Sequence, residues 1–423
     1  MITVKSLSTK LTQATNGLMF PATMWFASRT LILVAMLLVA PLLPAPRNGV
    51  AATFGLGVFS GWDSGHYHDI ATSGYYYING KGNVVFFPLY SLTVRALMNI
   101  GLSFEVGAIL VSNLAFLLFL YVLYLWLYQY QGEKVARWTV ALAALFPLSI
   151  FTATIYTEAL YLLLSTAALR AFDQNKYTQT AIFGALATAT RPTGLALIPG
   201  FLLAAWKQNK LPKAYLAGLL TSIGVVSFSI YCAVQHGDPL AFIHAQKAWR
   251  PNPGFDWQTW WKMLMQITVG MRNYKHGGIK DITHPLIFLI IVGCGYLLWR
   301  HRNRLSVAKV DYGFGILFLG LWLLAGDPLV NTAVFIVSTF LLWRYRNELT
   351  PVTLFYGLLG MAMLLFSGGT ISLSRLVYGI VPTVIAYGIF LARNPRWGYM
   401  SISFFTILLF IFSIRFAQDL WVG

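Results

Sequence analysis

The chain has few charged residues and few cysteines for its length. Only 10% of its 423 residues are charged, and its two cysteines, Cys232 and Cys294, both lie inside apolar runs. The sequence therefore predicts neither a disulfide framework nor a zinc cluster. The alternation of apolar and polar residues that membrane β-strands require is also missing, which excludes a β-barrel. No internal repeat, low-complexity tract or second soluble domain is present.

Hydrophobic residues make up 57% of the chain, and its mean hydropathy is +0.66. Such a composition is far outside the range of soluble domains and predicts an all-α polytopic membrane protein. We expect a single transmembrane domain over residues 1–423, with about thirteen helices and interfacial helices in the first outer loop. The thirteen apolar segments lie near residues 20–45, 104–128, 138–154, 156–172, 177–190, 193–206, 213–235, 284–299, 310–325, 329–343, 351–366, 373–392 and 398–416.

The first apolar segment resembles a secretory signal, but it is longer than the roughly 7–15 residues of a signal core, so a retained first span is expected. With the N-terminus in the cytoplasm, short basic loops such as 207–213 and 300–309 fall inside, as the positive-inside rule requires. The long polar segments 46–103 and 236–283 then lie on the opposite side, where they would form the active-site face.

Acidic residues are scarce. The chain has 13 of them and 30 lysines and arginines, which gives a net charge of +17. The basic residues are spread over several loops and not gathered on one face, which favours membrane lipids as partners and not nucleic acid. Four basic residues fall on the outer side near helix ends and could hold a lipid-linked phosphate. They are Arg191, Lys247, Arg250 and Arg375.

The first outer segment has two acids and two histidines among the seven residues from Asp63 to Asp69. The local sequence is Trp62-Asp63-Ser64-Gly65-His66-Tyr67-His68-Asp69. Asp63 precedes a predicted interfacial helix, where the helix dipole favours a carboxylate. It could act as a general base toward a sugar hydroxyl. It could equally be only the N-cap of that helix.

The same cluster offers a metal site as an alternative, with Asp63, His66 and either His68 or Asp69 as ligands. The spacing matches no tight metal signature, and a histidine beside tyrosines is usually a hydrogen-bonded interfacial residue. We therefore predict no metal or other cofactor.

Other outer residues are candidates for binding or for structure. Glu158, between apolar runs, is a functional candidate that needs a partner, and an ion pair with Arg191 is the structural alternative. Arg375 could bind phosphate or extend to the membrane surface. Gln246, Trp249 and Arg250 could clamp a sugar ring, although tryptophans near the interface usually serve as anchors.

Several motifs together resemble the PIG-V family, the second mannosyltransferase of glycosylphosphatidylinositol anchor assembly and its prokaryotic relatives. The motifs are GWDSGHYHDIATSGY with VVFFPLYS, ALFPLSIFTATIYTEALYLLLS, ATRPTGLALIPG, FIHAQKAWR and SGGTISLSRLVYGIVP, which follow in the family's order. The resemblance implies a GT-C-type glycosyltransferase that uses a polyprenyl-phosphate-linked sugar, usually mannose, on the non-cytoplasmic face. It places the catalytic acid at Asp63.

The resulting hypothesis is an inverting transfer to a lipid or glycan acceptor, with Asp63 as general base and arginines that stabilise the leaving phosphate. The residues expected to bind donor or acceptor are Trp62, His66, Tyr67, Asp69, Glu158, Arg191, Gln246, Trp249, Arg250 and Arg375. The membrane would be the plasma membrane of a prokaryote or the endoplasmic reticulum of a eukaryote. The chain is compact and shows no endoplasmic-reticulum retrieval signal, in which it differs from the anchor-pathway enzymes. The resemblance therefore does not identify the acceptor.

Two other functions agree with part of the sequence. A transporter or lipid flippase would also combine many helices, broken spans and buried charges. Its polar residues should gather at the bilayer midplane, however, whereas these gather at one end of the helices. A metal-dependent membrane hydrolase could be built on the Asp and His cluster.

Overall fold

The computed structural model describes residues 4–248, 250 and 254–422, and these are overwhelmingly helical. The first half contains α1 (Val4–Leu33), α2 (Ser64–Thr72), α3 (Pro88–Met98), α4 (Phe104–Gln131), α5 (Glu133–Leu145), α6 (Glu158–Asp173), α7 (Tyr177–Thr188), α8 (Leu197–Lys207), α9 (Pro212–Leu220) and α10 (Ile223–His236). The second half contains α11 (Ala241–His244), α12 (Trp257–Thr268), α13 (Met271–His276), α14 (Thr283–Arg300), α15 (Val307–Ala325), α16 (Asp327–Arg344), α17 (Pro351–Leu365), α18 (Leu373–Tyr378), α19 (Val381–Arg393) and α20 (Pro395–Ala417).

Six helical segments among the described residues are long and apolar enough to cross a bilayer. They are Met19–Leu42, Phe104–Gln131, Pro212–His236, Thr283–Arg300, Val307–Ala325 and Pro395–Ala417. The prediction of an all-α polytopic membrane protein is confirmed. The count of thirteen spans is not confirmed, because most of the remaining apolar segments form shorter helices, and α16, which is as long as α14, is less apolar.

Several of the predicted spans are interrupted by proline or by 3-10 turns. The segment near 138–154 is α-helical only to Leu145 and continues as the 3-10 turn Pro147–Thr152. The predicted span 373–392 is divided into α18 and α19. Proline at the first positions of a helix removes a donor that would be unsatisfied anyway, so these breaks cost little at the new helix starts. The interrupted segments lie around the charged site described below.

The core packs α4 against α5 and α6, and α19 against α5. Small residues let these helices approach closely, as membrane helices require. A side chain at Gly388 of α19 would put its Cβ within 3 Å of Thr139 in α5, and Thr139 is buried. By contrast, α14 and α15 bury none of their residues and form a hairpin at the edge of the bundle. Such all-round exposure is that of helices surrounded by lipid.

The first polar segment contains two helices, α2 and α3, in the region where the sequence predicts interfacial helices. Between them lies a small antiparallel hairpin, β1 (Tyr77–Ile78) and β2 (Lys81–Gly82), which was not predicted. Its turn places Asn79 at φ +51° and Gly80 at φ +75°. This Asn-Gly pair is the preferred sequence for a tight hairpin turn with two positive φ angles.

Candidate active site

Asp63 lies at the N-terminal boundary of α2, but its side chain does not cap the helix. The carboxylate instead accepts a hydrogen bond from Nη2 of Arg375 at 3.1 Å, across 312 residues of sequence. Its side chain remains about one-fifth exposed. The structure therefore favours a role for this carboxylate other than helix capping, and it leaves the group accessible from the surface.

Glu158 begins α6 and is almost completely buried. Its Oε1 lies 2.5 Å from Nη1 of Arg191 and 3.4 Å from Nε of Arg375. The structural ion pair with Arg191 that the sequence suggests is present, and Arg375 joins it. Two carboxylates and two guanidinium groups thus form one connected cluster, in which each charge has a partner of opposite sign.

Two aromatic rings complete the surroundings of Arg375. Its guanidinium carbon lies 4.9 Å from the ring centroid of Phe151 and 5.3 Å from that of Tyr156, distances typical of cation–π contacts. The Tyr156 hydroxyl donates to the carbonyl of Gly61 at 3.1 Å and accepts from the backbone N–H of Asp63 at 3.2 Å. It therefore fixes the backbone that carries the carboxylate.

Sequence reasoning did not assign a site role to either ring. Tyr156 lies two positions before Glu158, where the apolar run is interrupted, and that position was the available signal. Phe151 lies in an apolar stretch and carried none.

Tyr67 faces the cluster from α2. Its hydroxyl lies 3.5 Å from Oγ1 of Thr157, which also accepts from Nη1 of Arg191 at 3.1 Å. Burial raises the pKa of the Tyr67 phenol, and the nearby carboxylates of Asp63 and Glu158 add to the effect. Tyr67 is therefore a neutral hydroxyl and adds no negative charge to the cluster.

The loop before α18 determines where Arg375 points. Ser372 adopts φ +54°, a left-handed conformation that is costly for a residue other than glycine. The backbone N–H of Ser374 donates to Oδ1 of Asn331 in α16 at 2.9 Å. This bond fastens the first turn of α18 to a long helix and holds Arg375 in place.

Arg250, from the second long polar segment, ties that segment to the same loop. It donates to the side chain and carbonyl of Ser367 and to the carbonyl of Ile371. Burial lowers the pKa of Arg250, and the nearby charge of Arg375 lowers it further. Arg250 thus adds positive potential near the cluster while its donors hold the loop.

Other predicted site residues make the following contacts. The ring of His66 stacks on Phe86 at 4.7 Å between centroids. The carboxylate of Asp69 lies 3.7 Å from the ring of exposed His68. Gln246 is half-buried in the turn Ala245–Ala248, which packs against β2. Trp249 lies outside the described residues.

The described part of the chain contains no arrangement of ligands that matches the metal alternative. No group of three or more His, Cys, Asp or Glu side chains is placed there to hold an ion. Asp63 pairs with Arg375, and His66 and His68 contact Phe86 and Phe104.

An apolar cavity of about 690 Å³ reaches the helix that carries Arg375. Val377 and Tyr378 of α18 form part of its wall, with Pro147 and Leu148 of the broken segment opposite. Side chains of α15, α16 and α20 complete it, including Leu319, Ala333 and Phe404. Helix α18 thus carries one member of the charged cluster and also forms part of the wall of an apolar cavity.

Comparison with solved structures gives distant likenesses. The Archaeoglobus fulgidus oligosaccharyltransferase, in a crystal structure with Zn and sulfate, has a TM-score of 0.47 and 12% identity over 95% of this chain and 53% of its own. ArnT from Cupriavidus metallidurans, bound to undecaprenyl phosphate, has a TM-score of 0.39 and 15% identity over 92% of this chain and 77% of its own. The chain thus spans about half the length of the oligosaccharyltransferase. None of these similarities extends to a residue or a substrate of this chain.

Sequence comparison is more specific. No curated protein gives a significant match to the chain. The family described as Mannosyltransferase (PIG-V) matches residues 34–221, a range that includes Asp63, Glu158 and Arg191 but not Arg375. The motifs around Arg250 and Arg375 lie beyond the match. Over residues 34–221 the chain therefore has the sequence pattern of the PIG-V mannosyltransferases, and the resemblance is confirmed for that part.

Proposed function

We propose that this protein is a GT-C-type glycosyltransferase that moves a sugar, most simply mannose, from a polyprenyl-phosphate-linked donor to a lipid or glycan acceptor. The PIG-V match supports a glycosyltransferase, and it includes three of the four members of the charged cluster. The observation that carries the proposal is the contact of Asp63 with Arg375. It pairs a candidate base with a candidate phosphate-binding group.

In the proposed reaction the acceptor oxygen attacks the anomeric carbon of the donor and inverts it. The bond between that carbon and the phosphate oxygen breaks, and its electron pair leaves on polyprenyl phosphate. The acceptor proton passes to the carboxylate of Asp63, which later releases it to water. The products are the glycosylated acceptor and polyprenyl phosphate.

Arg375 has two partners, and this suits the leaving-group role. Its guanidinium is planar and always charged, so it can grip two phosphate oxygens at once. When a donor phosphate binds Arg375 in place of Asp63, the carboxylate is released as the base. Glu158 stays paired with Arg191 and Arg375, which keeps the buried charges balanced through the exchange.

The cavity beside α18 has the chemistry needed for the donor's isoprenoid chain. Its wall is almost wholly apolar, and it includes Tyr378, which lies one helical turn after Arg375. A phosphate at Arg375 would therefore have a lipid-like space next to it. The cations of Arg375 and Arg191 supply charge stabilisation without a nucleotide or a metal.

We further propose that the site faces the non-cytoplasmic side of a plasma or endoplasmic reticulum membrane. The charged cluster, α2 and the long polar segments lie at one end of the helices. The basic loops that favour the cytoplasm lie at other connections.

The test is transfer by the purified protein in nanodiscs. Polyprenyl-phosphate-[³H]mannose is supplied with a panel of membrane lipid and glycan acceptors, and labelled product is counted. We expect product with this donor, no product with GDP-mannose alone, and no loss of rate in EDTA. Transfer from GDP-mannose alone would overturn the donor class. A rate abolished by EDTA and restored by Mg²⁺ or Mn²⁺ would overturn the metal-free mechanism.

A further inference from the structure

Two exposed tryptophans form a corner next to Asp63. The indole of Trp62 meets that of Trp421 edge to face, with ring centroids 5.0 Å apart and planes at 87°. Trp62 is 45% exposed and Trp421 is 40% exposed, so both rings present surface to the outside. Their chain positions are 359 residues apart, and only the fold brings them together.

The segment that carries Trp421 is held firmly against the first polar segment. The carbonyl of Trp421 accepts from Nη2 of Arg415 at 2.7 Å. The backbone N–H of Val50 donates to the carbonyl of Gln418 at 2.9 Å, and the Gln418 side chain donates to the carbonyl of Pro44 at 3.2 Å. Trp421 is thus positioned by fixed contacts and is not a loose end of chain.

The backbone at Trp62 is strained. Its φ of +54° lies in the left-handed region, which a bulky side chain rarely adopts and which costs on the order of 1–3 kcal/mol. Glycine would avoid this strain, and glycine already occupies the preceding position. A large indole retained at this conformation beside the candidate base suggests that the side chain has a function.

We propose that Trp62 and Trp421 form the acceptor subsite, which takes a six-membered polyol ring such as a pyranose. This inference rests on the proposed glycosyl transfer. The C–H face of such a ring is apolar and packs on an indole, while its hydroxyl groups remain free to reach Asp63.

The direction of attack assigns these rings to the acceptor and not to the donor. In an inverting displacement the incoming oxygen and the leaving phosphate lie on opposite sides of the anomeric carbon. Arg375 and the apolar cavity mark the leaving-group side. Trp62 directly precedes Asp63 in the sequence and its indole packs on Trp421, so an acceptor ring on these two indoles would lie beside the carboxylate.

The first test measures binding without catalysis. Methyl α-D-mannopyranoside is added to the protein in nanodiscs, and saturation-transfer NMR reports which of its protons contact the protein. We expect ring-proton signals with the wild type, their loss in Trp421→Ala, and their retention in the control Trp206→Ala, which removes an exposed tryptophan elsewhere. Equal signals in wild type and Trp421→Ala would overturn the subsite even if transfer activity is established.

The second test separates an acceptor role from packing or membrane anchoring. Trp62→Gly relieves the positive φ, so the unfolding temperature should stay equal or rise. The acceptor KM should rise at least about tenfold, with the donor KM changed by less than about twofold. A lowered unfolding temperature with an unchanged acceptor KM would make Trp62 a packing residue and overturn the inference.

Discussion

At the residue scale, the site depends on which partner each charge has. Asp63 lies at the start of a helix, yet its carboxylate binds Arg375 and not the helix backbone. The Glu158 side chain is only 1% exposed, compared with 21% for the Asp63 side chain, and it contacts two arginines. The two acids therefore suit different roles. The accessible one can exchange its partner, and the buried one holds the arginines in place.

Asp63→Asn should give a folded, donor-binding enzyme with turnover reduced on the order of 10²- to 10⁴-fold, the usual loss for a general base. The amide keeps the shape of the carboxylate but cannot take up a proton at neutral pH. Turnover is measured with polyprenyl-phosphate-mannose in nanodiscs, and donor binding is measured separately. Asp69→Asn, on the exposed face of the same helix, should cause a much smaller loss. If Asp63→Asn retains more than about a tenth of wild-type turnover, another group is the base.

Glu158→Gln should destabilise the protein by about 3–5 kcal/mol, because it leaves Arg191 and Arg375 partly unpaired in a buried position. Unfolding titrations in mixed micelles of SDS and a mild detergent measure this change. The matched control is Glu133→Gln, which breaks a surface pair with Arg137. It should cost less than about 1 kcal/mol. Equal costs for the two variants would contradict a structural role for Glu158.

At the element scale, short and broken helices build the site. Six-residue α18 presents Arg375, and the 3-10 turn Pro147–Thr152 presents Phe151 beneath it. Non-helical backbone at membrane depth is tolerated only where protein or a cavity surrounds it. The site has both kinds of surroundings. Helix α18 packs against protein, namely α16, α17 and α19, and it borders the apolar cavity.

Ala333→Trp should fill part of that cavity and impair use of a long donor chain. We expect the KM for a C55 polyprenyl-phosphate-mannose to rise at least about tenfold, while a C10 analogue is used almost as well as by the wild type. The control Leu323→Trp adds the same ring to the lipid-facing side of α15, away from the cavity. Equal effects on both donors would show that the cavity does not hold the chain.

At the scale of the whole molecule, charge and hydrophobicity predict how the protein lies in the membrane. Basic side chains concentrate at loops such as 300–309, whereas Asp63 lies in the long polar segment 46–103. The positive-inside rule then predicts a cytoplasmic location for the basic loops.

This orientation predicts opposite labelling of two exposed positions. In a background without the exposed Cys294, Ser73→Cys should react with an impermeant maleimide added to intact cells, and Asn303→Cys should react only after lysis. Ser73 follows α2, and Asn303 lies in the basic loop after α14. The reverse pattern would place the site on the cytoplasmic side.

The sequence by itself determined the class of the protein and part of its site. Composition indicated a membrane protein, since 57% hydrophobic residues and a mean hydropathy of +0.66 are far outside the range of soluble domains, and the missing alternation of apolar and polar residues indicated helices. Glu158 and Arg191 were visible because each interrupts an apolar run, and Asp63 was visible because it belongs to a cluster of acids and histidines in a chain with few charges. Charged residues at such places are costly unless they have partners.

Only the tertiary structure decided which partners these are. Nothing in the sequence pairs Asp63 with Arg375, sets Tyr156 under the Asp63 backbone, or brings Trp421 to Trp62. Helix periodicity reports which face of one segment is apolar, but contacts between distant segments depend on how several helices pack around one another. The predicted span 373–392 is divided between Tyr378 and Val381, just before Pro382 in the first turn of α19, because proline cannot continue a helix that is already formed.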